Sequence, residues 1–225
     1  MMGALTAFLA LAVLQGSSFR IGFTFDGSWP SMGDERDYAD LLEEGGIDYN
    51  LDGTTWTGGI EALGDVSDKL RLRGAVSVSR FHGVYEDDYD PFGYAITGIL
   101  TGGLLFLFGS GDEDVVAMED VATNIELACY YKLGAISVGG GPTFVSVTRS
   151  MDTPNTASSE SASGPGFTAG VRLDGESGGF LGLPIVFGVE GGYRFSSVGF
   201  DTEYNDDFSV DFSGPYVRIG TYLKL

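Results

Sequence analysis

Eight charged residues sit where their side chains could meet in one enclosed space: Glu61, Arg71, Arg73, Glu126, Arg172, Glu190, Arg194 and Arg218. Each falls on the polar parity of a segment that alternates apolar and polar residues. Such alternation puts one parity on one side of a β-strand and the other parity opposite. Carboxylates and guanidiniums gathered in that way have two uses. They can pair and fill the space, because a buried charge is tolerated only with a partner. Alternatively, a surplus of cations can draw small anions through a narrow passage. Both readings stand at the level of sequence.

A second constellation, Asp48-Tyr49-Asn50-Leu51-Asp52-Gly53, has the D-x-N-x-D-G spacing of the first half of a calcium loop. Asp48, Asn50 and Asp52 are therefore candidate ligands for Ca²⁺ or Mg²⁺. The twelfth position holds Gly59 where a chelating Glu is expected, with Glu43 and Glu44 near enough to substitute. The competing reading is an Asp-Gly turn that enters a strand. His82 is the single histidine, with Ser79 before it and Asp87 and Asp88 beyond. A general base there would need a hydroxyl within hydrogen-bond reach, and no motif supplies one, so it reads as a rim residue. Cys129 is the single cysteine, which rules out an intrachain disulfide. It falls on an apolar parity and reads as a small apolar side chain. No catalytic or cofactor-binding motif is present.

The elements that must carry these residues are strands. At the C-terminal end Val217, Ile219, Thr221, Leu223 and Leu225 alternate with Tyr216, Arg218, Gly220, Tyr222 and Lys224. Seven upstream segments behave alike: Phe19 to Phe25, Thr54 to Leu63, Lys69 to Phe81, Val121 to Lys132, Ala135 to Thr148, Gly164 to Leu173 and Leu183 to Phe195. The connections alternate long and short. Asp26 to Gly53 reads as a loop with one helical turn over Asp37 to Glu44. Arg149 to Ser163 reads as a loop and Asp174 to Gly182 as a turn. The run Gly139-Gly140-Gly141-Pro142 suggests a bulge or a sharp bend. Residues 93–109, uncharged and mostly apolar, read as a surface or capping helix or as two further strands, which would make ten.

Charge is sorted along the chain. Arg20, Lys69, Arg71, Arg73, Lys132, Arg172, Arg194, Arg218 and Lys224 lie on polar strand parities, while most of the 32 acids lie in the long connections. The formal charge of −20 argues against nucleic acid as a partner, since phosphate would be repelled. Residues 1–18 read as a secretory signal, with an apolar run from Ala4 to Leu14 and small residues at Gly16-Ser17-Ser18. That leaves residues 19–225 as one domain. The expected class is all-β: an eight-stranded antiparallel up-and-down transmembrane β-barrel, ten strands possible, with long acidic external loops.

Three stretches carry a resemblance to a known group: Phe212-Ser213-Gly214-Pro215-Tyr216-Val217-Arg218-Ile219-Gly220, Val138-Gly139-Gly140-Gly141-Pro142 and Val189-Glu190-Gly191-Gly192-Tyr193-Arg194-Phe195. In these the chain resembles the small bacterial outer-membrane barrels of the OmpA, OmpX and OmpW type. It differs from them in ending on Leu225 where such barrels usually end on Phe or Trp. The resemblance implies location in the bacterial outer membrane and contact with outer-membrane lipid and lipopolysaccharide, to whose phosphates divalent ions at the acidic loops could bridge. It also implies handling by the outer-membrane assembly machinery, a monomeric state, and a non-enzymatic role in membrane integrity or surface interaction. The alternatives are a narrow porin-like channel for small anionic or amphipathic solutes and, third, a lipid A modifying enzyme.

Overall fold

The computed structural model describes residues 18–44, 50–51, 54–84, 116–153, 156–180, 183–200 and 208–225. The chain runs through β1 (Phe19–Ser28), α1 (Asp34–Glu44), β2 (Asn50–Leu51), β3 (Thr55–Asp65), β4 (Leu70–Val84), β5 (Val116–Leu133), β6 (Ile136–Thr153), β7 (Thr156–Phe180), β8 (Leu183–Phe200), β9 (Phe208–Asp211) and β10 (Gly214–Lys224).

Eight of these strands form a closed antiparallel wall. They follow the order β1, β3, β4, β5, β6, β7, β8, β10, and β10 returns to pair with β1. Closure leaves no strand edge open in the wall. β4 pairs directly with β5 from Leu70↔Tyr131 to Gly83↔Met118, so no additional strand enters the barrel between them and the ten-strand alternative is excluded. Residues 93–109 themselves lie outside the described residues. β2 extends the wall beside β4, through Asn50↔Val84 and Leu51↔Gly83. β9 continues the register that β10 holds against β8, Ser197 facing Asp211 as Arg194 faces Gly214.

The outward face divides sharply in two. On β6 the outward residues are Ile136, Val138, Pro142 and Phe144, then Ser146, Thr148 and Ser150. On β7 they are Leu173, Val171, Phe167 and Pro165, then Ser163, Ser161 and Ser159. On β8 the change comes between Phe195 and Ser197, and at β10 between Pro215 and Ser213. Phe23, Ile60, Val76, Leu127, Phe144, Phe167, Val171, Phe187, Val189, Phe195, Val217 and Ile219 are all more than 40% exposed. An apolar surface of that extent is what a barrel presents to lipid. Nine residues from Ile136 to Phe144 span about 30 Å along a strand, or roughly 23 Å once the strand tilts by about 40°. Among the described residues no helix is long and apolar enough to cross a membrane; the crossing belongs to the strands.

Several connections differ from the sequence expectation. The presumed loop Arg149 to Ser163 is a hairpin whose strands stay paired as far as Thr153↔Thr156. The presumed turn Asp174 to Gly182 is likewise paired, from Asp174↔Gly188 to Ser177↔Ile185 and, past a register shift, at Phe180↔Leu183. Above the apolar belt the outward face of the β6–β7 hairpin is polar while the inward face at Val145 and Val147 is apolar and buried. The apolar-out, polar-in rule fails there, while Ser and Thr still pair well in a ladder. The helical turn expected over Asp37 to Glu44 is an eleven-residue helix starting at Asp34.

The Gly139-Gly140-Gly141-Pro142 run is not a bulge. β5 and β6 keep one register across it, from Glu126↔Thr143 to Cys129↔Gly140, and β6 and β7 pair through it without a shift. Glycine is required there for close approach: a Cβ on Gly141 would run into the carbonyl oxygen of Leu127.

Candidate functional site

All eight residues of the expected cluster point inward and are buried: Glu61, Arg71, Arg73, Glu126, Arg172, Glu190, Arg194 and Arg218. They come from six strands, and the barrel brings them together in tiers. In the middle tier Arg73 forms ion pairs with Glu126 and Glu190. Arg172 Nη1 donates to Glu61 Oε1 at 2.6 Å, and Arg218 Nη2 lies 3.2 Å from Glu126 Oε2. Three tyrosines complete the tier. Tyr222 donates to Glu61 at 2.9 Å, while Tyr130 and Tyr216 donate to Glu190 at 3.0 and 2.5 Å. Their rings also lie against guanidiniums: Arg73 is 4.9 Å from the Tyr130 centroid, Arg172 4.8 Å from Tyr222 and Arg218 5.3 Å from Tyr216.

The tier nearest the short turns holds Arg71, paired with Asp174 and, through Nε at 2.6 Å, with Asp65. Arg20 reaches Asp174 at 3.2 Å and Lys132 reaches Asp65 at 3.2 Å. Above the middle tier Asp26 receives Arg218 at 3.1 Å and Arg194 at 3.5 Å. Room for the bulky tyrosines is made by glycines opposite: a Cβ on Gly170 or Gly192 would crowd the Tyr216 hydroxyl.

Two properties of this interior were not expected. The first is near-balance of charge. The sequence suggested a lumen rich in cations, but among the described residues six buried or nearly buried arginines (Arg20, Arg71, Arg73, Arg172, Arg194, Arg218) and Lys132 are answered by six carboxylates (Asp26, Glu61, Asp65, Glu126, Asp174, Glu190). The sequence pattern places Asp26 in a loop, Asp174 in a turn and Asp65 between two strand segments. Asp26 and Asp174 continue the parity of Arg20 and Arg172, and that continuity was the available signal. The second is an apolar mouth. Phe81, Ala122, Val145, Val147, Val198 and Phe200 point inward above the charged tiers, where Met32, Val210 and Phe212 from the connecting segments pack against them.

A separate ionic group lies above this apolar layer. Arg149 on β6 donates from Nε and Nη2 to Asp120 on β5 at 2.9 and 2.7 Å, and from Nη2 to Glu35 on α1 at 3.1 Å. All three residues are buried. Phe200 and Phe208 stack on the guanidinium at 4.6 and 4.9 Å. The buried position of Glu35, beside the negative charge of Asp120, pushes its carboxyl up to about 8 although Arg149 opposes the shift. This group was missed because Arg149 looked like the start of a loop, yet it keeps the inward parity of Thr143, Val145 and Val147.

The remaining candidates are placed as follows. Asp48 and Asp52 lie outside the described residues, as does the side chain of Asn50. Among the described residues no three His, Cys, Asp or Glu side chains are grouped to hold a metal ion. His82 falls on β4, paired with Glu119, but its side chain is outside the described set. Cys129 is exposed on the lipid-facing side of β5.

No family model matches the sequence, and no curated protein matches it. Solved structures do show likeness. The solid-state NMR structure of the outer membrane protein AlkL in lipid bilayers is 16% identical with a TM-score of 0.47, covering 93% of this chain and 91% of that one. Ail, the attachment invasion locus protein of Yersinia pestis, in complex with the heparin analogue sucrose octasulfate, is 10% identical with a TM-score of 0.45, covering 93% and 97%. Neisserial surface protein A is 13% identical with a TM-score of 0.43, covering 93% and 99%. The barrel rests on its own strand register rather than on these likenesses.

Proposed function

We propose that this is a monomeric, non-enzymatic barrel of the bacterial outer membrane, closed to solutes by its own side chains and serving membrane integrity or surface interaction. The observation that carries this reading is the double filling of the lumen: nearly balanced ion pairs through the lower tiers and a packed apolar layer above them. An eight-stranded barrel leaves an interior that side chains roughly fill. The channel reading drew on a cation surplus; six arginines and Lys132 facing six carboxylates leave a surplus of one among the described residues, which favours the closed lumen. Outer-membrane lipid and lipopolysaccharide are the proposed surroundings, with the Ser and Thr residues above the apolar belt at headgroup level. The assembly machinery of that membrane would insert the chain.

The test is conductance of the purified, refolded protein in planar bilayers. Folding is checked beforehand by its altered electrophoretic mobility before and after boiling in SDS. A silent membrane is the expected result. Reproducible single-channel steps from the folded fraction would overturn the closed-lumen reading.

A further inference from the structure

α1 is fastened to the barrel mouth at its first turn. Met32 and Gly33 both adopt left-handed backbone, with φ of 68° and 56°, which costs strain at the non-glycine residue. The Met32 side chain is fully buried in the apolar mouth. Asp34 accepts from the backbone and hydroxyl of Ser209 at 2.8 and 2.9 Å. Glu35 reaches Arg149. Further along α1, Ala39 is buried while Leu41 is 65% exposed.

The charge around Glu35 does not balance. Glu35 and Asp120 share the one guanidinium of Arg149, and Glu35 Oε2 is buried with no hydrogen-bond partner among the described residues. No other part of the chain can supply a further Lys or Arg unseen, because all twelve of them lie among the described residues. Arg80 pairs with Glu119 on the outer face of the wall, and Arg36 is exposed on α1. Among the described residues the other charged groups nearby are Asp34, bound to Ser209, exposed Asp37 on α1, and Asp211 at the end of β9, held by Ser31 and Ser213. None is a cation. Phe200 and Phe208 lie against the Arg149 guanidinium.

We propose that α1 is a proton-dependent latch on the barrel mouth: it docks with Glu35 protonated and loosens when Glu35 loses that proton. A free carboxyl titrates near 4.5 and the docked one is pushed up to about 8 by burial and by Asp120. Docking is therefore favoured in full below about pH 4.5. It weakens as pH rises through the interval up to about 8, by as much as tenfold per pH unit, and changes no further above it.

The experiment places a nitroxide on α1 through Leu41→Cys in a Cys129→Ser background, and follows its mobility in lipid nanodiscs from pH 4 to 10. The expected result is an immobile label at low pH and a mobile fraction that grows and levels off near pH 8. Glu35→Gln, which keeps the shape and removes the titration, should hold the label immobile at every pH. Asp120→Asn should move the midpoint to lower pH, a displacement that a purely structural contact would not produce. Heat-modifiable mobility in SDS verifies that each variant forms a barrel. A label whose mobility is independent of pH in the unsubstituted background, or equally pH-dependent with Glu35→Gln, would overturn the latch.

Discussion

The lower lumen and the mouth of the barrel are filled by opposite means. In the lower tiers charged side chains from seven strands meet, and nearly every carboxylate touches more than one partner; Glu190 alone receives Arg73, Tyr130 and Tyr216. In the mouth, side chains such as Phe81, Val147 and Val198 pack with Met32 and Phe212, without polar contacts of their own. The difference follows from where each filler originates. The ionic tiers are made wholly by the wall, so their geometry is set once the barrel closes. The apolar layer needs residues from the connecting segments, which must fold back over the opening. A charged layer assembled in that way would leave costly unpaired groups whenever a segment lifted away, whereas an apolar contact can be broken and remade without stranding a charge.

The largest expected effect tests the ionic side of this contrast. Glu190→Ala removes the acceptor of one arginine and two tyrosines, and should cost about 3–5 kcal/mol in urea unfolding of the barrel in detergent, because a buried charge loses its partner. Replacing Arg73 and Glu190 together by Met and Leu should recover part of that loss. If the single replacement costs no more than a surface substitution, the tiers are not holding the barrel together.

Met32→Ala comes next. It removes a fully buried side chain from the apolar mouth, and should cost about 2–4 kcal/mol in docking of the segment around α1. The barrel wall should keep its unfolding midpoint, since none of its ion pairs is touched. Limited proteolysis between Asp34 and Glu44 would report the first quantity and urea unfolding the second. An equal loss in both would mean that mouth and wall form one cooperative unit. The smallest effect is expected outside both regions: Thr148→Ala loses only an exposed 3.3 Å contact with Ser161, and should change unfolding by less than about 0.5 kcal/mol.

The wall was legible in the sequence wherever lipid or a charged interior enforced alternation. All eight strands of the barrel lie where the period-two pattern puts them, and the eight charged residues share its interior, because a shift of one residue would turn Arg73 or Glu190 toward hydrocarbon. What the sequence hid lay past the apolar belt. There Ser146 and Thr148 on one face and Val147 and Arg149 on the other no longer contrast as an apolar outside and a polar inside; the contrast is in fact reversed, with polar residues outward and Val145 and Val147 inward. A reader of hydropathy who keeps the lower rule takes this stretch for a loop. Parity alone, carried upward from Thr143, places Arg149 correctly. The partners of Arg149 were harder to find: Glu35 lies 114 residues away, and nothing local announces that α1 returns to that point.

Cys129 faces outward from β5 opposite Gly140, at the level of the apolar belt. A water-soluble thiol reagent does not partition into hydrocarbon. The single thiol is therefore open to such a reagent while the chain is in water and shielded from it once β5 is seated in the bilayer. Pulse-labelling with a water-soluble maleimide during refolding into vesicles would time the burial of this strand without any added probe, giving the molecule an internal clock for its own insertion.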